Sequence, residues 1–316
     1  MVKLKRKVIQ IADSTQLISL PRKWAQKHEV KKGDELDIKE EGSKIIVSTE
    51  QGQSLGRVEV DISNLDRDSL MFLIRCLYIK GYDEMKLRFD DVTTKHHKIG
   101  KDVTVISSIK EEVNRLNGIE IIQQKENSCF IKDISEGVIK ELDTILRRIF
   151  LLLIDASKDL VKGSKENNHM LLDTINEKHD TITKFAAYNL RLLNKFGYTD
   201  DKKTNTLYHI ISSLDEIIDI IKYCSRFVTA HKIKLAKDAI SIISDVQETL
   251  SLYHDFFYNF DLKKAEKLSK DRSIIFDKVG SLVKKVPANN LFILSNMEQI
   301  LEVLIHLTVS RIGLEY

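Results

Sequence analysis

Leu142-Asp143-Thr144-Ile145-Leu146-Arg147-Arg148-Ile149-Phe150-Leu151-Leu152-Leu153 decides the fold class of this chain. Its apolar residues Leu142, Ile145, Leu146, Ile149, Phe150 and Leu153 recur at steps of three and four, the period of a helix that buries one face. The rhythm continues through Ile175, Ile182, Phe185, Leu192 and Leu193, and everything after Asp133 reads as helix. Breaks are expected at Gly163-Ser164, Gly197-Tyr198, Ala230-His231, around Asn259–Asp261 and at Pro287. They cut the region into roughly six helices of about 20–30 residues. Long helices with short joints pack as antiparallel neighbours, in one bundle of six or two of three.

Composition points the same way. Two prolines and twelve glycines in 316 residues are too few for the tight turns of an all-β sandwich or barrel. A 42% hydrophobic content supplies real cores and excludes wholesale disorder, and the length suits two or three domains. Cys76, Cys129 and Cys224 are too scattered for a disulfide framework or a zinc ribbon, which fits a reducing cytoplasm. The longest purely apolar run, Ile149–Ile154, is too short to span a bilayer, so no membrane insertion is expected. No apolar segment follows the N-terminal charges, so no signal peptide is expected either.

Upstream of the helices the pattern changes twice. Residues 56–132 read as an α+β connector: strand Val58–Ile62, helix Asp66–Lys80, strand Met85–Phe89, a polar stretch around His96-His97, a helix near Val103–Leu116, then strands Ile119–Gln123 and Ser128–Ile131. Residues 1–50 read as strand, turn, strand, a short helix from Pro21, and the hairpin Glu35–Lys39 with Lys44–Val47. Gln51-Gly52-Gln53-Ser54 links the two. A unit as small as residues 1–50 buries too little to stand alone and needs a partner chain.

The net charge of +3 hides a local concentration. Residues 1–32 carry nine basic side chains (Lys3, Lys5, Arg6, Lys7, Arg22, Lys23, Lys27, Lys31, Lys32) against only Asp13 and Glu29. Clustered cations of this kind suit a polyanion, each phosphate contact gaining through counterion release. The same residues form a pattern: Ser14-Thr15-Gln16-Leu17-Ile18-Ser19-Leu20-Pro21-Arg22-Lys23-Trp24-Ala25, then Val30-Lys31-Lys32-Gly33-Asp34-Glu35-Leu36, then Gly42-Ser43-Lys44-Ile45-Ile46-Val47. This resembles the SpoVT/AbrB-like (MazE-type) DNA-binding domain over nearly all of residues 1–48. The resemblance implies a homodimer whose hairpins interleave into one barrel on double-stranded DNA, with Lys5, Arg6, Arg22, Lys23 and Lys27 on the DNA side. That family often carries Gly-Arg in the first turn, where Thr15-Gln16 stand here.

In the helical region Asp215 and Asp219 are four apart, as are Glu298 and Glu302, so each pair lies on one helix face. Like charges so placed repel mildly unless a cation bridges them. With an acidic pair on the third helix of each half, residues 133–316 resemble the PhoU domain, two three-helix bundles whose acidic motifs hold metal. The resemblance implies divalent or iron ions, with Asp180, Asp215, Asp219, Asp277, Glu298 and Glu302 as ligands. Second-helix acids and a histidine are at hand in Asp173, Glu177, His179 and Asp271, while Thr181, Thr183 and Ser273 stand where the family has paired acids. Leu77–Asp83 and Leu116–Ile121 resemble the segment joining the two domain types in archaeal proteins.

The expected architecture is thus multidomain and mostly α: a swapped-hairpin β domain at 1–50, an α+β connector at 56–132 and a PhoU-like six-helix domain at 133–316. No Walker or Rossmann loop, nucleophile elbow or H-E-x-x-H motif occurs, so no enzyme is expected. The function implied is a cytoplasmic DNA-binding regulator of phosphate uptake that senses metal or a partner, a phosphate transporter or a sensor kinase. The alternative is an adaptor that dimerises through residues 1–50 and binds such a partner without DNA.

Overall fold

The computed structural model describes residues 5–11, 15–41, 44–49, 56–135 and 139–316. The chain forms two compact units, Met1–Gln53 and Ser54–Tyr316.

The first unit is built from β1 (Ile9–Ile11), β2 (Thr15–Leu17), α1 (Arg22–Lys27), β3 (Asp37–Glu41) and β4 (Lys44–Ser48). β1 pairs antiparallel with β2, matching Ile9 to Leu17, and β3 pairs antiparallel with β4, matching Ile38 to Val47. Pro21 precedes the helix as its cap, and its carbonyl accepts from the Trp24 and Ala25 amides at 2.9 and 3.0 Å. Gly33, at φ 99°, makes the left-handed turn of Lys32-Gly33-Asp34. None of the side chains described in this unit is buried. Its apolar strand residues face outward, Ile38 at 68% and Ile45 at 62% exposure, with Val8, Ile9, Ile11 and Leu17 similar.

The second unit opens with β5 (Arg57–Asp61), α2 (Arg67–Lys80), β6 (Glu84–Arg88), β7 (Thr93–His96), β8 (Lys101–Thr104), α3 (Val105–Asn114), β9 (Ile119–Lys125) and β10 (Ser128–Asp133). Four strands form a mixed sheet in the order β5-β6-β10-β9, parallel between β5 and β6 and antiparallel elsewhere. Leu70, Ile74 and Tyr78 of α2 and Ile109 and Val113 of α3 share a core with Met85, Leu87, Cys129 and Ile131 of the sheet. The polar stretch around His96-His97 is in fact the hairpin β7–β8, closed by a 3₁₀ turn at His97–Ile99. Thr94, His96 and Val103 turn away from solvent in its strands, and because two of the three are polar the sequence shows no apolar alternation.

Six helices follow: α4 (Leu142–Glu166), α5 (His169–Phe196), α6 (Asp201–Ala230), α7 (Lys237–Tyr258), α8 (Leu262–Leu282) and α9 (Ala288–Glu315). α4, α5 and α6 pack on one another, as do α7, α8 and α9, so the helices form two three-helix bundles joined through α6·α9 and α4·α7. Asn168, Asp200 and Asp261 cap the N-termini of α5, α6 and α8 by accepting backbone N–H groups. The break expected at Gly163-Ser164 does not occur; α4 runs through it and ends at Asn167, at φ 54°. Gly163 serves packing instead, since a Cβ there would stand 2.7 Å from Leu172 of α5. α9 is long and apolar enough to cross a bilayer by length and composition, yet half of that stretch is buried, packed on α6, α7 and α8. Its apolarity is that of a core helix.

The sheet layer and the first bundle are riveted together. Arg191 of α5, buried, donates to the carbonyls of Tyr78 and Tyr82 at 2.6 and 2.9 Å and to Asp133 Oδ2 at 2.6 Å, and lies over the Tyr78 ring. Lys195 Nζ reaches Asp83 at 2.7 Å. Burial opposes the charged form of Asp133, but the Arg191 and Ser135 hydrogen bonds outweigh it and hold the carboxyl below its ordinary range.

Candidate functional site

Two sets of residues carry the candidate chemistry. In the first unit, Lys5 and Arg6 lie exposed in extended chain leading into β1, and Arg22 and Lys23 open α1, also exposed. The β1–β2 register ends at Ile9 and Leu17, so residues 5–8 and 18–21 leave from the same end of that ribbon. The basic lead and the basic helix thus share one side of the topology. Neither Arg22 nor Lys23 has an ion-pair partner among the described residues. Exposed cations at a helix start, without ion-pair partners among the described residues, suit contacts to phosphates. The Lys27 side chain and Lys3 lie outside the described residues, as do residues 12–14 of the first turn.

The second set centres on α5 and α6. His179 of α5 is buried, with Nδ1 2.9 Å from Asp180 Oδ1 and Nε2 2.9 Å from both Asp219 Oδ1 and Lys222 Nζ. Lys222 donates to Asp219 Oδ1. Thr183 donates to Asp215 Oδ1 at 2.7 Å. The connector borders this face: Arg115 lies 3.7 Å from Asp180, and Arg75 of α2 grips the fully buried Glu112 at 2.7 and 3.2 Å while its charge acts on Asp215 and Asp219. Burial pushes the Asp215 carboxyl up, and Asp219 beside it adds to the rise. Burial opposes ionisation of Asp219 too, but hydrogen bonds from His179 and Lys222 hold it at about 2.

In the second bundle Arg272 of α8 grips Glu302, with Nε donating at 2.7 Å. Burial and the neighbouring Glu302 push Glu298 up. Asp277 lies exposed on α8.

These residues do not fit the implied metal. A hard cation needs several carboxylate oxygens converging with net negative charge. Here an ammonium already occupies the convergence point of Asp219 and His179, and a guanidinium covers Glu302. Among the described residues no group of three or more His, Cys, Asp or Glu side chains could hold a metal ion. Of the expected ligands Asp180, Asp215, Asp219, Asp277, Glu298 and Glu302, the structure brings Asp180, Asp215 and Asp219 to one face beside Lys222, Arg115 and Arg75, and Glu298 and Glu302 to another, where Arg272 pairs with Glu302; Asp277 lies apart from both pairs in these contacts. Lys222 was legible in the sequence, lying three residues after Asp219 and seven after Asp215 on the same helix face. Arg75 and Glu112 were not, being separated by 37 residues with no local pattern to pair them.

Residues 9–53 match the family model described as "Antidote-toxin recognition MazE, bacterial antitoxin". The first unit is MazE-like. Solved structures similar to this chain include PhoU from Pseudomonas aeruginosa, at 15% identity and TM-score 0.47, covering 56% of this chain and 96% of that one. The phosphate transport system regulatory protein PhoU from Streptococcus pneumoniae is similar at 14% identity and TM-score 0.46, covering 56% of this chain and 94% of that one. No curated protein matches the chain. The strands and the short helix of the MazE-like unit fall wholly inside the matched segment; the basic lead Lys5-Arg6-Lys7 lies just outside it.

Proposed function

We propose that this chain is a homodimeric transcriptional regulator that binds double-stranded DNA through its MazE-like unit, with the helical unit receiving a signal of phosphate supply from a transporter or sensor kinase. One observation carries the reading: the MazE-like unit leaves its apolar strand side chains and the cations Lys5, Arg6, Arg22 and Lys23 exposed. Exposed isoleucines on two-stranded ribbons call for a second chain, because a lone two-stranded sheet is marginal in water. Exposed, unpaired cations call for a polyanion. Two copies related by a two-fold axis would present both basic sets to a duplex whose own symmetry matches. The phosphate link is supported by the resemblance of Leu214–Asp219 and the paired bundles to PhoU. Action on DNA places the chain in the cytoplasm.

Fluorescence anisotropy on a random duplex across a salt series tests the proposal. Wild type should bind with an affinity falling steeply as salt rises. Arg22→Ala with Lys23→Ala should weaken binding and flatten the salt slope while the dimer persists in sedimentation. Absence of binding at low salt would move the assignment to the adaptor, which dimerises and binds its partner without DNA.

A further inference from the structure

In each acidic pair that a PhoU-type bundle would use for metal, one carboxylate already has a cation here, Asp219 and Glu302, and the cations belong to the chain. In the first bundle, Lys222 is 6% exposed, its Nζ contacts Asp219 Oδ1, and it stands 2.9 Å from His179 Nε2. That is the point where carboxylate and imidazole converge. In the second, Arg272 holds Glu302 from the neighbouring helix, its guanidinium 4.5 Å from the Phe276 ring centroid. The two arrangements use different residue types: Lys222 sits on the same helix as its acid, Arg272 on another. Each bundle therefore reaches the same electrostatic result by a separate route.

A divalent ion at Asp219 would have to displace an ammonium whose stem is buried, and would meet the further positive charge of Arg75 and of Arg115 beside Asp180. Expelling Lys222 would leave a desolvated charge without its partner, and metal affinity falls when positive groups offset the donor charge. We propose that Lys222 and Arg272 are the resident cations of the two acidic sites, and that the helical unit folds without a bound metal. Removing the Lys222 ammonium then unmasks Asp219 and His179 Nε2, with Asp215 beside them, as a donor set, so Lys222→Ala should acquire the metal response that wild type lacks.

The test uses the full-length chain, purified from cells grown with added iron, manganese and zinc, and desalted. Elemental analysis should find no stoichiometric metal in wild type, and its melting temperature should be the same in EDTA and in MnCl₂. Lys222→Ala should melt lower in EDTA and recover by several degrees with MnCl₂. Metal found in wild type, retained in Asp219→Asn but lost in Glu298→Gln with Glu302→Gln, overturns the role given to Arg272; metal retained through all three substitutions lies outside both acidic sites and leaves their resident cations standing. One metal per chain, lost in Asp219→Asn and lowering the melting temperature on removal, overturns the proposal. A Lys222→Ala variant as stable as wild type and deaf to metal overturns the role given to Lys222. Should that variant fail to fold, the wild-type comparison alone decides.

Discussion

Asp215 and Asp219 are neighbours on one helix face, yet their environments pull them in opposite directions. Against the pull of burial, the His179 and Lys222 hydrogen bonds hold Asp219 down at about 2, below the 3.8 of a free aspartate, so its contribution to stability is complete above pH ~4 and is lost as pH falls toward 2. Asp215 is shifted upward, mainly by burial, so its charged form costs stability at neutral pH and the cost is relieved on acidification. The two Asp→Asn substitutions should therefore differ in sign. Asp219→Asn leaves Lys222 without its carboxylate and should destabilise by about 1 kcal/mol, a figure reduced for screening because Asp219 is 41% exposed. Asp215→Asn keeps an oxygen for Thr183 and should match or exceed wild type at pH 7, the difference shrinking toward pH 4. Thermal melts of both variants across pH 3–8 read this directly. A loss of stability in Asp215→Asn at neutral pH would contradict it.

Helices and the sheet layer act as interlocked elements. Gly163 lets α4 and α5 approach, and Gly163→Ala would push a methyl group against Leu172 and the Asn168 carbonyl. Overpacking of this kind costs about 1–3 kcal/mol, measurable as a lower urea midpoint at unchanged slope. Arg191 is the larger rivet, since its loss would leave the buried Asp133 Oδ2 with only Lys195 at 3.2 Å and take a donor from two carbonyls. Arg191→Met should cost about 3 kcal/mol and loosen α2 from α5, seen as faster amide exchange in both helices. Most elements were legible locally: apolar spacing marked the six helices, and residues such as Asp261 and Gly197 marked their ends. Gly163-Ser164 misled because a glycine that ends a helix and one that admits a neighbouring helix look alike in sequence. The β7–β8 hairpin was hidden because its inward residues Thr94 and His96 are polar and only Val103 is apolar, which leaves no hydrophobic alternation. In the acidic site, the aspartates showed by spacing, whereas Arg75 and Glu112 meet only once α2 and α3 have packed.

For the whole molecule, the two units should unfold as distinguishable bodies. Trp24 is the only tryptophan in the chain and sits in the MazE-like unit, while the long helices dominate far-ultraviolet circular dichroism. Under the homodimer reading, the fluorescence midpoint in urea should rise with protein concentration and the helical midpoint should not. Coincident, concentration-independent midpoints would show instead that the first unit folds without a second chain. Under the same homodimeric, DNA-binding reading, the outward isoleucines of β3 and β4 have a consequence for gene control. A DNA-reading head that exists only as a pair follows the square of chain abundance when the chain is scarce. Dilution at cell division would release operators sooner than the loss of protein alone suggests, making the head a gauge of its own copy number alongside any signal the helices receive.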